Sequence, residues 1–166
     1  MKKFLEKITS ICNSNEKVAM FIDMDGTITE YEVYQEKQVV EKMGQKYESL
    51  EPITPVIKAL EEINNIPNIN LYILSLAKSS KIQKEKQKWL KKYVGFIKKE
   101  NWILLNKENG EYSSENRDIV KPLTIREKMS DYSHGILLDD DHKILKETAK
   151  LLKDKVDVFH ISSALI

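Results

Sequence analysis

The stretch VAMFIDMDGTI, residues 18–28, sets two carboxylates and a hydroxyl directly behind an apolar run. Asp23 and Asp25 are separated by a single residue, Gly26 lets the backbone bend sharply after them, and Thr27 adds the hydroxyl. Two neighbouring carboxylates with no cation between them repel, and one is driven to keep its proton. A divalent cation removes that cost, and hard oxygen ligands favour Mg²⁺ over zinc or copper. An acidic pair alone does not establish such a site. Asp and Gly are ordinary turn residues, and DMDG would also serve as a strand-to-loop transition.

The rest of the chain supplies partners for it. LYILS ends a second apolar run at Ser75, and GILLDD ends another at Asp139 and Asp140. Lys121 lies upstream of that last run, at the entrance to a helix, with Lys128 and Lys107 as alternative lysines. In an open α/β sheet, groups at the carboxyl ends of strands meet along one edge, where ligands bind. An Asp nucleophile, a second Asp, a hydroxyl, a lysine and an acidic pair form a set suited to phosphoryl transfer.

The elements that must position these groups are legible as alternating patterns. Val18–Ile22, Asn70–Leu74, Trp102–Leu105, Gly135–Leu138 and Val156–Ile161 read as strands buried on both faces of a mainly parallel sheet. Between them, Ile53, Val56, Ile57, Leu60 and Ile63 recur at helical spacing, with Pro52 and Pro55 near the helix start. Residues 79–93 and 141–153 repeat that pattern, and Phe4, Leu5, Ile8, Ile11 and Cys12 mark a helix at the N-terminus. The expected fold is α/β, a three-layer sandwich around a Rossmann-like sheet. Residues 1–166 read as one domain, within which 29–50 are polar with interspersed tyrosines. Residues 106–118 read as a surface loop or short hairpin.

Composition bounds the function classes. The chain has 166 residues and a formal net charge of +1, so no global field points to nucleic acid or acidic membranes. Its single cysteine, Cys12, has no internal partner and reads as a buried residue in a reducing compartment. The N-terminal apolar residues are interrupted by Glu6 and Lys7, no run is long enough to cross a bilayer, and the expected location is the cytoplasm. The lysine-rich segment 78–99 reads as a solvated helix face with Trp89 and Leu90 on its buried side, in preference to a nucleic-acid surface. His134, His142 and His160 show no ligand spacing, and Trp102 reads as core.

At this point the residues resemble the haloacid dehalogenase (HAD) superfamily. Its DxDxT motif matches Asp23, Asp25 and Thr27; its hydroxyl motif matches Ser75; its lysine matches Lys121; its acidic pair matches Asp139 and Asp140. Within the superfamily the chain looks most like the small 5'-nucleotidase-like phosphatases, although Asp141 and His142 follow the acidic pair where such members often carry an aromatic residue. The resemblance implies a Mg²⁺-dependent phosphomonoesterase acting on a nucleoside monophosphate or another small phosphate ester. It implies Asp23 as nucleophile and Asp25 as acid and base. Thr27, Ser75 and Lys121 are implied on the phosphoryl group. Asp23, the Asp25 carbonyl, Asp139 and Asp140 are implied at the metal. Because superfamily members insert a cap after the catalytic loop, the resemblance also implies 29–50 as a small helical cap or flap, in which Tyr31 and Tyr34 either stack on a base or pack on the sheet.

Two other classes fit parts of this set. A receiver-like signalling module also joins acids, Mg²⁺, a hydroxyl and a lysine on an α/β sheet, but here both acids of DxDGT precede the serine and the acidic pair comes last. A phosphate-binding protein without catalysis would have no need of both Asp23 and Asp25. Asp141 is the best candidate in its run for a simple helix cap.

Overall fold

A computed structural model describes residues 1–30, 47 and 50–165. The sheet is built from β1 (Val18–Ile22), β2 (Ile69–Ala77), β3 (Trp102–Asn106), β4 (His134–Asp139) and β5 (Val156–His160). All pairings are parallel, and the spatial order is β3-β2-β1-β4-β5. Six helices accompany them among the described residues: α1 (Lys2–Ser14), α2 (Thr54–Asn64), α3 (Ser80–Tyr93), α4 (Arg117–Lys128), α5 (His142–Leu151) and α6 (Ser162–Leu165). This is the expected three-layer α/β architecture.

The layers follow from the period of the strand. In β1, Val18, Met20 and Ile22 point to one face, where Phe4 and Ile8 of α1, Leu60 and Ile63 of α2 and Trp89 of α3 close over them. Ala19 and Phe21 point to the other, against Ile125 of α4 and Ile144 and Leu145 of α5. Every residue of β1 is buried, which accounts for the unbroken apolar run. Each such Ile or Phe contributes about 1.5–3 kcal/mol on leaving water. The flanking strands depart from the expectation of burial on both faces. β3 and β5 lie at the sheet edges, and Trp102, Ile103, Val158 and Phe159 are half-buried, so Trp102 packs on the core without being enclosed by it. The chain leaves β1 toward β2 on one side and later returns to β4 on the other. The crevice at the end of β1 is therefore a topological switch point.

Smaller differences concern element ends. β2 runs on to Ala77, placing Ser75 inside the strand, and α4 begins at Arg117, a turn before Lys121. Leu151 is exposed while Leu152 is buried, so only the latter belongs to the inner face. Cys12 is buried as expected. No helix among the described residues is long and apolar enough to cross a membrane. Most of the segment expected as a cap, including Tyr31 and Tyr34, lies outside the described residues.

Candidate active site

The loop leaving β1 is wound tightly around one carbonyl. The backbone N–H groups of Thr27, Ile28 and Thr29 all approach the Met24 oxygen at 3.0–3.1 Å, and the Thr29 hydroxyl donates to the same atom at 3.1 Å. Gly26 closes the turn at φ 75°, a left-handed conformation that a side chain resists, and donates its N–H to the Thr29 carbonyl at 3.1 Å. The Asp23 N–H still bonds to Leu138 O on β4 at 3.0 Å. Asp23 is thereby fixed as the last rung of the ladder, and Asp25 is carried out onto the turn.

The groups singled out in the sequence do meet at this edge. Lys121 Nζ reaches from α4 to Asp23 Oδ1 and Asp139 Oδ2, at 2.6 Å each, with all three side chains buried. Lys128, by contrast, is exposed at the end of α4, and Lys107 donates to Ser114 at the surface, so Lys121 is the lysine of the three beside Asp23. Thr27 Oγ1 points at Asp23 Oδ2 from 3.4 Å. Carboxylate oxygens of Asp23, Asp139 and Asp140 lie within 4.8 Å of one another. Asp141 caps α5 by accepting from the Lys143 N–H at 2.9 Å, and its own N–H donates to Asp139 Oδ1 at 2.9 Å. Asp140 is steadied through its backbone. The carbonyl can only accept, so His160 donates to it from Nε2 at 3.1 Å, while the His160 ring lies flat against His142 with centroids 4.4 Å apart.

Burial raises the Asp23 pKa to about 6; Asp139 and Asp25 push the same way, and Lys121 opposes them. Burial also raises Asp140, helped by the Asp23 charge. For Lys121, burial alone disfavours the ammonium, but Asp23 and Asp139 more than reverse this and hold it protonated. Asp23, Asp139 and Asp140 ionised beside one ammonium leave a net charge of −2. A divalent cation balances that charge, and every donor offered is a hard carboxylate oxygen, the chemistry that suits Mg²⁺.

One residue of the site escaped the sequence reading. Lys86, on α3, was placed among lysines with heads in water, yet it is 2 % exposed. Its ammonium donates to Asp25 Oδ2 at 2.5 Å, to Ser75 Oγ at 2.8 Å and to Leu76 O at 2.8 Å. The signal was present. Lys86 precedes Trp89 by three residues and Leu90 by four, which puts it on their face of the helix. Tyr47 covers it, with its ring 5.1 Å from the Lys86 nitrogen, its N–H on Glu85 Oε2 at 2.7 Å and its hydroxyl 3.3 Å from that of Thr29. No buried side-chain polar atom among the described residues lacks a partner.

No sequence-family model and no curated protein matches the chain. Solved structures do resemble it. The HAD domain of the effector protein Lem4 from Legionella pneumophila aligns with a TM-score of 0.55 and 18% identity over 87% of each chain. An inactive mutant of that domain gives 0.54 and 17%, over 87% of this chain and 84% of its own. The effector Ceg4 from the same organism gives 0.50 and 14%, over 87% and 85%. At these identities the likeness is one of fold, and by strand order, layering and backbone the chain has a HAD-like α/β fold.

Proposed function

We propose that the chain is a Mg²⁺-dependent phosphomonoesterase that works through an aspartyl-phosphate on Asp23. The reading rests chiefly on one observation: a buried Asp23 held between Lys121 and the Asp139–Asp140 pair, with Asp25 on the same tight turn. Small phosphate esters, nucleoside monophosphates among them, are the proposed substrates.

Asp23 attacks phosphorus, forming the carboxyl O–P bond as the ester P–O bond breaks. Asp25 gives its proton to the departing alkoxide, then takes one from the water that cleaves the acyl phosphate. The Thr27 and Ser75 hydroxyls donate to phosphoryl oxygens, and Lys121 offsets their charge. Asp23, Asp139, Asp140 and the Asp25 carbonyl would hold Mg²⁺. Bound there, the metal offsets a repulsion between carboxylate and phosphate oxygens of roughly 4 kcal/mol per charge pair at about 4 Å and an effective dielectric near 20.

The test is hydrolysis of p-nitrophenyl phosphate, followed by nucleoside monophosphates, sugar phosphates and phosphopeptides, in Mg²⁺ and in EDTA. Turnover in Mg²⁺ that falls about 10³-fold or more in a folded Asp23→Asn variant supports the reading. Equal turnover by variant and wild type removes Asp23 from the chemistry. Hydrolysis of no ester returns the chain to a non-catalytic phosphate-binding role.

A further inference from the structure

We propose that Lys86 is a positioning residue that holds the acid–base Asp25 and the phosphate-binding Ser75 as one unit. The inference rests on the phosphatase reading above and adds to it a residue that lies outside the DxDxT, hydroxyl, lysine and acidic-pair motifs.

The starting point is cost. Moving an ammonium out of water costs several kcal/mol, recovered only when its hydrogens are fully and well paired. Trp89 and Leu90 already fasten the same face of α3 to the core by burial alone. A methionine or leucine at position 86 would extend that contact without desolvating a charge. The lysine instead spends all three hydrogens on two other segments, the turn after β1 and the end of β2. Those segments carry Asp25 and Ser75.

Each bond has a chemical consequence. Lys86 grips Oδ2 of Asp25, while the Asp25 side chain remains 39% exposed, so the carboxyl is held and still reachable from solvent. A general acid needs that arrangement, since its proton must meet the leaving oxygen within hydrogen-bond reach. At Ser75 the ammonium occupies an acceptor site of a fully buried hydroxyl. A hydroxyl has a single hydrogen, and this one is left to point away from Lys86, toward a phosphoryl oxygen. The Tyr47 ring lies against the ammonium, its centroid 5.1 Å from the nitrogen, and adds a cation–π contact to the three hydrogen bonds. The two buried lysines divide the work: Lys121 serves Asp23 and Asp139, Lys86 serves Asp25 and Ser75.

A residue acting through the general acid leaves a signature that loosening of the fold does not. Alkyl phosphates depart as strongly basic alkoxides and depend on the acid; p-nitrophenyl phosphate departs readily without it. The experiment measures kcat and KM on p-nitrophenyl phosphate and on an alkyl phosphate for wild type, Lys86→Met, Asp25→Asn and the double variant. Lys86→Gln, an uncharged donor of similar length, stands in if Lys86→Met does not fold, and the double variant leaves neither charge of the pair behind. We expect Lys86→Met to lower kcat on the alkyl ester about 10²-fold, within the range of general acid catalysis, and on p-nitrophenyl phosphate about tenfold less severely than that. In the Asp25→Asn background, removing Lys86 should cost less than about threefold more, because groups that act as a unit are not additive. Equal losses on both esters, or losses that multiply in the double variant, overturn the role of Lys86 alone. A wild type that hydrolyses neither ester overturns the phosphatase reading, and the role of Lys86 with it.

Discussion

Replacing Asp23 with Asn should make the metal-free protein more stable while disabling it. The Asp23 carboxyl is pushed up to about 6 in the fold, burial being the largest cause, against about 3.9 in an unfolded chain. An acid with a raised folded pKa behaves as follows. Below about pH 4 it is protonated in both states and carries no penalty. Between about 4 and 6 the folded state keeps a proton that the unfolded state has released, so stability falls as pH rises. Above about 6 the penalty is complete, and about two pKa units correspond to about 3 kcal/mol. The attraction of Lys121 is already included, and Lys121 keeps Asp139 at 2.6 Å when Asp23 is neutralised.

Asn has the same shape and carries no charge. At pH 7.5 in EDTA, Asp23→Asn should therefore gain up to about 3 kcal/mol, or about 6–12 °C in Tm for a chain of this size. At pH 4.5 the gain should shrink, because wild type then regains its proton. Saturating Mg²⁺ should narrow or reverse the order: a cation at about 100 times its Kd adds about 2.7 kcal/mol to a protein that binds it, and an amide is a poorer ligand than a carboxylate. Circular dichroism melts of both proteins at the two pH values, with EDTA and with Mg²⁺, give the comparison. Taking the difference between the proteins cancels titrating groups that Asp23 does not touch; Asp140, raised in part by the Asp23 charge, is relieved in the variant and adds to the gain in the same direction. An Asn variant less stable than wild type at pH 7.5 in EDTA would refute the reasoning, as would a difference that ignores pH.

Two further expectations concern the scaffold. A methyl group added at Gly135 on β4 would lie 2.8 Å from Met129 Sδ and 3.0 Å from Val156 Cγ2, so Gly135→Ala should cost about 1–3 kcal/mol by overpacking, seen as a lower urea midpoint with unchanged slope. An unchanged midpoint would mean that Met129 moves aside freely. Asp141→Ala removes the cap of α5 and should cost about 1 kcal/mol, whereas Asp141→Asn, which caps as well, should recover most of it; equal losses in the two would assign the effect to the Arg117 ion pair at 2.9 Å instead.

The central strands were legible because burial on both faces leaves no polar position to interrupt the apolar run. β1 and β4 are such strands, and the acids that follow them needed only the sheet to bring them together. The edges were harder. In β5 the residues after Val156 are only half-covered or exposed, yet an aromatic and aliphatic composition reads the same on an edge as in the centre. The helix carrying Lys121 begins a turn earlier than the sequence suggests, and it holds Pro122 in its interior. Proline ordinarily belongs to a first turn, which favours a helix start near Lys121, whereas α4 begins at Arg117. Lys86 was missed for a different reason. Lysine is so often a solvated residue that its position beside Trp89 and Leu90 carried less weight than its type, and neither of its side-chain partners is close in sequence.

The two buried lysines also bear on how the site can contain so many acids. Among the described residues Asp25 has an ion pair with Lys86, at 2.5 Å, and its side chain is 39% exposed, so its charge is offset in part by Lys86 and in part by solvent. Among the described residues, Lys121 is the one cation bonded to Asp23 and Asp139, with Asp140 beside them. The excess of −2 is therefore confined to three residues at the ends of adjacent strands, and burial drives Asp23 and Asp140 toward the protonated form there. In the proposed reaction Asp23 must be ionised to attack. With Lys121 beside it, Asp23 is poised to hold its proton near pH 6, and a cation bound among these three carboxylates would shift it to the anion. Lys121→Met would enlarge the excess to −3 and should make activity demand more Mg²⁺, whereas Lys86→Met removes no charge from that cluster and should act chiefly through Asp25 and Ser75.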